Sequence, residues 1–316
     1  MNDMSIAMRD ASETDWSAGA AYIKGRFAPL AEAAIPVTDW GYRRSDVTYD
    51  VVSVWNGAFF RLDDHVRRFQ ASMKALRLAP PESEADMRRI LTECARRLGK
   101  REAYVAMDCL RGVPRPGLPR HPANCTNHFL AFAMPWVWVI PEDIQARGAH
   151  VVIAETPRIP DVCVDPRVKN FHWGDLTRGQ FEASDRGADT CILLDLEGQV
   201  TEGPGFNVFM VTDGVVASPD RGALEGITRM SVYELCRDMG IKSEIRPIRA
   251  DEMRNADEVF LATTAGGIMP ASRIDGRIMG NDRPGPISMR LRETFWAKRA
   301  AGWHATPIDY GASATT

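Results

Sequence analysis

Strand-like and helix-like segments alternate along both halves of this 316-residue chain, which limits its fold to the mixed classes. In residues 50–61, Asn56-Gly57 separates two runs of β-branched and aromatic residues, a pattern that predicts a hairpin with a type I′ turn. Apolar residues at helical spacing follow in residues 63–78 and again from Ser83 to about residue 98. The first half therefore combines a hairpin with two amphipathic helices.

The second half contains more predicted strands than helices. Across the chain, further strands are predicted at residues 103–110, 128–139, 151–154, 191–196, 207–212, 245–249 and 258–263. Helices are predicted to begin near Thr177, Gly226 and Ile287. We therefore predict an α/β (α+β) protein with an N-terminal domain at residues 1–139, a connection at 140–149 and a C-terminal domain at 150–316.

The composition excludes several classes of function. A formal charge of -3 offers no cationic surface for nucleic acid or an anionic membrane. The six cysteines form no CxxC pair and the six histidines show no metal-ligand spacing, so no metal site or disulfide scaffold is expected. Residues 1–21 lack the pattern of a signal peptide, and the most apolar stretch, residues 129–140, is too short to span a bilayer. We expect a cytoplasmic protein.

Lys169 is the first candidate for chemistry. Only six of the 39 basic residues are lysine, and this one lies between Val168 and the aromatic residues Phe171 and Trp173. Apolar surroundings disfavour the charged form of an amine and so make it nucleophilic. Taken alone, the same pattern also fits a lysine at a strand end that extends its charge to water.

Three glycine-rich turns indicate places where backbone can approach a ligand. They are Thr201-Glu202-Gly203-Pro204-Gly205-Phe206-Asn207, Gly226-Ile227-Thr228-Arg229, and Thr263-Thr264-Ala265-Gly266-Gly267. The second turn opens a predicted helix, whose free N–H groups suit a phosphate. Each turn alone is weak, and the chain contains neither a dinucleotide-binding nor a P-loop motif, nor the GxSxG elbow of serine hydrolases.

His65 and Arg68 share one face of a predicted helix at spacing i, i+3. Arginine is suited to bidentate phosphate binding. On spacing alone, a solvated basic helix explains the pair better than a phosphate site does.

Taken in order, these segments resemble the fold type IV pyridoxal-phosphate enzymes, from about Pro36 to Ile274. That family includes branched-chain aminotransferases, D-amino acid transaminases, aminodeoxychorismate lyases and (R)-selective amine transaminases. The resemblance is carried by the three glycine-rich turns together with Phe60-Arg61-Leu62-Asp63-Asp64-His65-Val66-Arg67-Arg68 and Val168-Lys169-Asn170. Several motifs in the family's order are far more specific than any one of them.

The resemblance implies that Lys169 is catalytic and carries pyridoxal 5'-phosphate as a Schiff base. It also implies that Glu202 pairs with the pyridine nitrogen and that Arg68 holds the phosphate. The other cofactor-binding residues that it implies are Ile227, Thr228, Thr263, Thr264, Phe206 and Asn207. The implied architecture is a small N-terminal α/β domain and a larger, strand-rich pseudo-barrel domain, assembled as a homodimer whose pocket borrows a loop from the partner.

Within the family, the chain resembles most the (R)-selective amine transaminases. This resemblance rests on residues 41–51 leading into Val54-Trp55, on Pro135-Trp136-Val137-Trp138, and on residues 169–176. It implies that Tyr49, Val51, Trp173 and Ala265 form the wall of the substrate pocket. Apolar walls suit an amine that has an apolar substituent where an amino acid has its carboxylate.

The chain departs from that group at three places. Arg44 stands where histidine is frequent, and Tyr104-Val105-Ala106 replaces Phe-x-Glu, which removes an acid from the pocket. In the loop at residues 111–127, a carboxylate-binding arginine is expected, and Arg115 is favoured over Arg111 and Arg120. We count Arg44, Tyr104 and Arg115 among the substrate-binding residues.

The predicted reaction is a ping-pong transfer of an amino group from a primary amine to a keto acid such as pyruvate. Arg44 and the arginines of the loop could also bind an α-carboxylate, so a D-amino acid or branched-chain amino acid transaminase is an alternative. An enzyme similar to aminodeoxychorismate lyase is a third alternative. A relative without catalytic activity, acting as a binding protein, conflicts with the presence of Lys169, Glu202 and Arg68 together.

Overall fold

A computed structural model describes residues 15–311 of the chain. Two β-sheets with helices packed against them confirm the predicted α/β (α+β) class. The expectation of no signal peptide concerns residues 1–21, most of which lie outside the described residues.

The first sheet has seven strands, and they include the first and the last strand of the described chain. Its strands are β1 (Ala20–Ile23), β2 (Arg26–Pro29), β3 (Val47–Trp55), β4 (Ala58–Phe60), β5 (Ala103–Leu110), β6 (His128–Pro135) and β16 (Ala305–Pro307). Their order across the sheet is β16-β4-β3-β5-β6-β1-β2, and all neighbours are antiparallel. The predicted hairpin is β3–β4, where Asn56 and Gly57 have positive φ values of 51° and 77°, as the type I′ turn requires.

Two amphipathic helices cover one face of this sheet. They are α2 (Leu62–Ala75) and α3 (Glu84–Leu98), and α3 begins with a capping box in which Ser83 and Asp86 satisfy each other's backbone N–H groups. Val66, Phe69 and Ile90 of these helices are buried against the odd-numbered residues of β5. The opposite face of β5 is thereby left free to line a cavity.

The second sheet has nine strands and mixed pairing. Its strands are β7 (Ala149–Ile153), β8 (Thr190–Ile192), β9 (Glu202–Gly203), β10 (Phe206–Thr212), β11 (Val215–Ser218), β12 (Ser243–Ile245), β13 (Glu258–Thr263), β14 (Gly267–Ile274) and β15 (Arg277–Ile278). The main order is β12-β11-β10-β13-β14-β7-β8, with β15 on β14 and β9 on β10. The remaining helices are α1 (Trp40–Arg44), α4 (Glu142–Arg147), α5 (Gly174–Asp185), α6 (Ile227–Asp238), α7 (Ala250–Asn255) and α8 (Pro286–Ala300).

Within the predicted connection at residues 140–149 lie helix α4 and the start of β7. Two predicted strand ends were wrong for a local reason. The strand predicted at 245–249 ends at Ile245, shortly before Pro247, and the strand predicted at 128–139 ends at Pro135. Proline cannot donate a ladder hydrogen bond, so strands tend to stop beside it. The helix predicted near Thr177 begins at Gly174.

The chain's last described strand returns to the first sheet. β16 pairs with β4, so residues 305–307, predicted inside the C-terminal domain, extend the N-terminal sheet. The division at residue 140 therefore does not coincide with the division between sheets. The two halves also meet at a bridge between Thr48 and Asn170, which brings β3 against the segment that contains Lys169.

Candidate active site

A cavity of about 320 Å³ lies where β3 and β5 of the first sheet face β9, β10 and the start of α6. It brings together residues that are far apart in the sequence. The predicted site residues that line it are Lys169, Arg68, Glu202, Ile227, Thr228, Thr263, Thr264, Phe206, Asn207, Tyr49, Val51, Tyr104, Trp173 and Ala265.

Lys169 lies in the loop that leads into α5, and its backbone is fixed to β3. Its carbonyl oxygen accepts hydrogen bonds from the Thr48 hydroxyl at 2.6 Å and from the Tyr49 N–H at 3.3 Å. The Nζ atom lies 4.3 Å from the centre of the Tyr49 ring. Burial, with a further contribution from the positive charge of Arg68, lowers the pKa of Lys169 to about 8. Near neutral pH the neutral, nucleophilic fraction of this amine is therefore much larger than that of an ordinary lysine.

Glu202 is buried on β9, the short strand that pairs with β10. Its carboxylate accepts hydrogen bonds from Arg158 at 3.0 Å and from the Leu224 N–H at 2.9 Å. Burial raises the pKa of Glu202, while the positive charge of Arg158 opposes that shift. Arg158 also donates to Asp175 at 2.6 Å, so one buried arginine connects two acids. The sequence gives no signal for Arg158, because its partners lie 44 and 17 residues away.

Helix α6 points its N-terminus into the cavity. Gly226 caps the helix without a side-chain hydrogen bond, and the first N–H groups, those of Ile227 and Thr228, have no partner within the helix. Arg68 lies beside this end, because its guanidinium donates to the carbonyl oxygen of Glu225 at 3.1 Å. A cation, free N–H groups and a helix dipole therefore converge at one place, which is the arrangement that binds a phosphate.

Arg68 is oriented by Asp50, a residue that sequence reasoning missed. The fully buried Asp50 carboxylate accepts hydrogen bonds from Arg68 Nε and Nη2, both at 2.8 Å, and lies 2.8 Å from His65 Nδ1. Burial raises the pKa of Asp50, but Arg68 and His65 outweigh this and hold it well below its usual range. Burial lowers the pKa of His65, which keeps its ring neutral. The signal in the sequence was the i, i+3 spacing of His65 and Arg68.

Two other predicted cofactor residues use their polar groups within the protein. The Asn207 amide donates to the Leu224 carbonyl at 2.8 Å, and the Thr263 hydroxyl donates to the Gly205 carbonyl at 2.7 Å. The first bond connects the turn at residues 201–207 to the segment just before Gly226, and the second connects it to the turn at residues 263–267. These two side chains therefore hold the turns in position.

Arg44 and Arg115, predicted to bind substrate, do not line the cavity of this chain. Arg44 ends α1 and stacks on the Trp40 ring at 3.5 Å, as i, i+4 neighbours on a helix can. Arg115 lies in the loop at residues 111–127, where its Nε donates to the Asn124 carbonyl at 3.4 Å. Arg120, the third candidate of that loop besides Arg111, lies 5.9 Å from the Trp40 ring.

Arg111 is excluded as a carboxylate-binding residue because its donors are already used. It is buried and pairs with Asp46 at 2.9 and 3.0 Å, and it also donates to the carbonyl oxygens of Leu76 and Arg77. Its guanidinium connects the turn between α1 and β3 with the segment that follows α2. Arg111 is therefore a structural residue.

Asp108 is an acidic residue near the pocket that the sequence analysis did not identify. It lies on the same face of β5 as Tyr104 and Ala106, and it lines a second cavity that adjoins the first. Tyr49, Tyr104 and Trp173 line both cavities. The alternation of side chains along β5 was the available signal, because residues two apart lie on one face of a strand.

Two further expectations concern ligands and membranes. Among residues 15–311, no group of three or more histidine, cysteine, aspartate or glutamate side chains is placed to hold a metal ion. Over the same residues, no helix has the length and apolar character needed to cross a membrane.

The chain is similar to known aminotransferases along most of its length. The family model for amino-transferase class IV matches residues 48–274. A D-alanine aminotransferase of Bacillus licheniformis is 29% identical over 270 residues, which cover 85% of this chain and 93% of that protein. A branched-chain-amino-acid aminotransferase of Pseudomonas aeruginosa is 29% identical over 241 residues, which cover 76% of this chain and 78% of that protein.

Solved structures give the same result. The crystal structure of a branched-chain amino acid aminotransferase from Thermobaculum terrenum in its PLP-bound form matches with a TM-score of 0.82 at 26% identity, and covers 94% of this chain and 100% of that one. Another branched-chain amino acid aminotransferase, crystallised with pyridoxamine 5'-phosphate, matches with a TM-score of 0.85 at 30% identity. That match covers 93% of this chain and 100% of the other.

Proposed function

This chain belongs to the class IV amino-transferases, which are pyridoxal-phosphate-dependent enzymes, and from that premise we propose that it transfers an amino group from a primary amine to a keto acid such as pyruvate. The proposed amine is R-configured and carries an apolar substituent. The fold type IV architecture and the cofactor expected from the sequence are both confirmed.

The residues around the first cavity fit the cofactor. Lys169 would hold it covalently, Arg68 and the N-terminus of α6 would hold its phosphate, and Glu202 would face its ring nitrogen. When bound, pyridoxal phosphate supplies an electron sink for the electron pair released at the substrate carbon. Lys169, whose pKa is about 8, would then be the group that moves the proton between the substrate Cα and the cofactor's C4′. Arg158 helps to keep Glu202 negatively charged for its role.

One observation supports an apolar amine over an amino acid. Within residues 15–311, the arginines that line the first cavity are Arg68 and Arg158, and both are held by buried acids. The remaining wall is aromatic and aliphatic, with Tyr49, Val51 and Trp173 among its members. This chain therefore presents no uncommitted guanidinium to an α-carboxylate at the site, whereas an apolar substituent gains from burial there.

The keto acid also needs a place for its carboxylate. We propose a homodimer in which the loop at residues 111–127 of the partner subunit borders the pocket and supplies the positive charge that binds this carboxylate. In a ping-pong cycle the amine leaves as a ketone before the keto acid enters, so one pocket serves both. We also propose a cytoplasmic location.

A D-amino acid or branched-chain amino acid transaminase is the second candidate. It is favoured by the relatives, which are named D-alanine and branched-chain-amino-acid aminotransferases. A partner loop with several arginines would also suit an α-carboxylate in both half-reactions.

Initial rates with a matched set of donors separate these functions. The holoenzyme is given pyruvate with (R)- or (S)-1-phenylethylamine, and 2-oxoglutarate with D-alanine or L-leucine. We expect the (R)-amine to have the highest kcat/KM and its enantiomer to be at least about tenfold slower, which corresponds to about 1.4 kcal/mol. Fast turnover of D-alanine or L-leucine with an inert (R)-amine would contradict the proposal.

A further inference from the structure

Asp108 stands directly beside the active site on the first sheet. In the antiparallel pairing of β3 and β5, its cross-strand partner is Tyr49, whose ring centre lies 4.3 Å from Lys169 Nζ. Directly opposed residues of a sheet have neighbouring side chains on one face. A substrate held at Lys169 that extends past the Tyr49 ring therefore reaches Asp108.

The Asp108 carboxylate has no partner in the structure. Within residues 15–311 it forms no hydrogen bond and no ion pair, although its neighbours Met107 and Cys109 are buried in the core on the other face of β5. Burial raises the pKa of Asp108 to about 7. An unpaired carboxylate in such surroundings is costly unless a cation or a donor joins it.

The second cavity around Asp108 is aromatic. Its volume is about 420 Å³, and its walls include Tyr49, Tyr104, Phe132 and Trp173. Phe171 also belongs to it and packs on Tyr49 with ring centres 4.8 Å apart. Aromatic rings around a carboxylate are the chemistry that binds alkylammonium groups, because ring faces and the acid both attract a positive charge.

We propose that Asp108 and the surrounding rings form a subsite for a second cationic group of the amine substrate, distant from the nitrogen that is transferred. The substrate class is then a diamine, or an amine bearing a distal quaternary ammonium, whose reacting end lies at Lys169. This rests on the proposed function for the identity of the reacting group. The aromatic walls still accept an apolar substituent, and Asp108 selects among amines by their far end.

A binding measurement tests the subsite without any reaction. Choline has no transferable nitrogen, and 3,3-dimethylbutan-1-ol is its neutral isostere. Calorimetric titration of the holoenzyme with each probe should show that choline binds more tightly than the alcohol. Asp108→Asn should lower the affinity for choline by about tenfold or more and change the affinity for the alcohol little. The exposed Asp185→Asn serves as control and should change neither. Equal affinities of wild type and Asp108→Asn for choline would overturn the proposal.

A kinetic measurement separates failure of the subsite from failure of the proposed function. We expect the ratio of kcat/KM for (R)-1-[3-(aminomethyl)phenyl]ethylamine to that for (R)-1-phenylethylamine to fall about tenfold in Asp108→Asn. If neither amine reacts but choline still depends on Asp108, the proposed function fails and the subsite stands. If both amines react and their ratio is the same in both proteins, the subsite fails and the proposed function stands. A thermal melt of each variant confirms that it is folded.

Discussion

Replacing Asp50 by asparagine should both destabilise the protein and weaken the cofactor site. The substitution keeps the shape of the side chain but removes its negative charge. Two nitrogens of Arg68 donate hydrogen bonds to that carboxylate, both at 2.8 Å. Asp50 is fully buried and the Arg68 side chain is only 11% exposed, so water cannot replace the lost partner. Breaking a buried pair in this way costs about 3 kcal/mol, toward the lower end of the usual range because an amide can still accept a hydrogen bond.

Urea unfolding of the cofactor-free protein measures the first effect, since bound cofactor would add its own stabilisation. Asp63→Asn is the control, because Asp63 also pairs with an arginine but its side chain is 72% exposed, and we expect a loss below about 1 kcal/mol. Fluorescence titration with pyridoxal phosphate measures the second effect, an affinity lower by about tenfold because Arg68 is no longer oriented. If Asp50→Asn unfolds at the same urea concentration as Asp63→Asn, Asp50 does not stabilise the site as described.

Three further predictions concern the site and its neighbour. Glu202→Gln removes the negative charge while keeping its shape, so kcat should fall by about 100-fold with the cofactor still bound; unchanged kcat would exclude the role of Glu202. Gly226→Ala introduces a Cβ that meets Asn207 Oδ1, so cofactor affinity measured by titration should fall, whereas Gly174→Ala, which meets no atom, should bind normally. Burial raises the pKa of Asp108 in the folded protein to about 7 from 3.8, so the protonated side chain favours the folded state at acid pH. This contribution to the free energy of unfolding is lost as the pH rises between these two values. Urea unfolding should then show Asp108→Asn more stable than wild type at pH above 7, with the difference vanishing toward acid pH. The gain should stay below the roughly 4 kcal/mol that the full shift implies, because Asp108 is partly exposed to water. A difference that is constant with pH would contradict this.

Local features of the fold could be predicted because their causes are local. The Asn56-Gly57 turn, the Ser83 capping box and strand β5 depend on residues within one turn or one strand of each other. The return of β16 to the first sheet has no such cause, because its partner β4 lies about 245 residues earlier in the chain. Sequence patterns predict that a segment forms a strand, but they do not predict which sheet edge it pairs with.

The residues of the candidate site likewise fall into two groups, those that local motifs indicate and those that only tertiary packing brings to their partners. Motifs with fixed spacing indicated Lys169, Glu202 and Arg68, and the structure brings all three to one cavity. Asp50 and Arg158, which orient two of them, contact their partners only through tertiary packing. Arg115 lies in a loop whose backbone the sequence does not determine, so its direction could not be predicted.

Every role proposed for this site depends on a covalent bond between Lys169 and the cofactor. Reduction of the holoenzyme with borohydride, followed by peptide mapping by mass spectrometry, tests for that bond. We predict a pyridoxyl group on Lys169 and no label in Lys169→Ala, which should also lose transamination. A label on another lysine of the wild-type chain, or nitrogen transfer by Lys169→Ala at the wild-type rate, would show that Lys169 does not hold the cofactor.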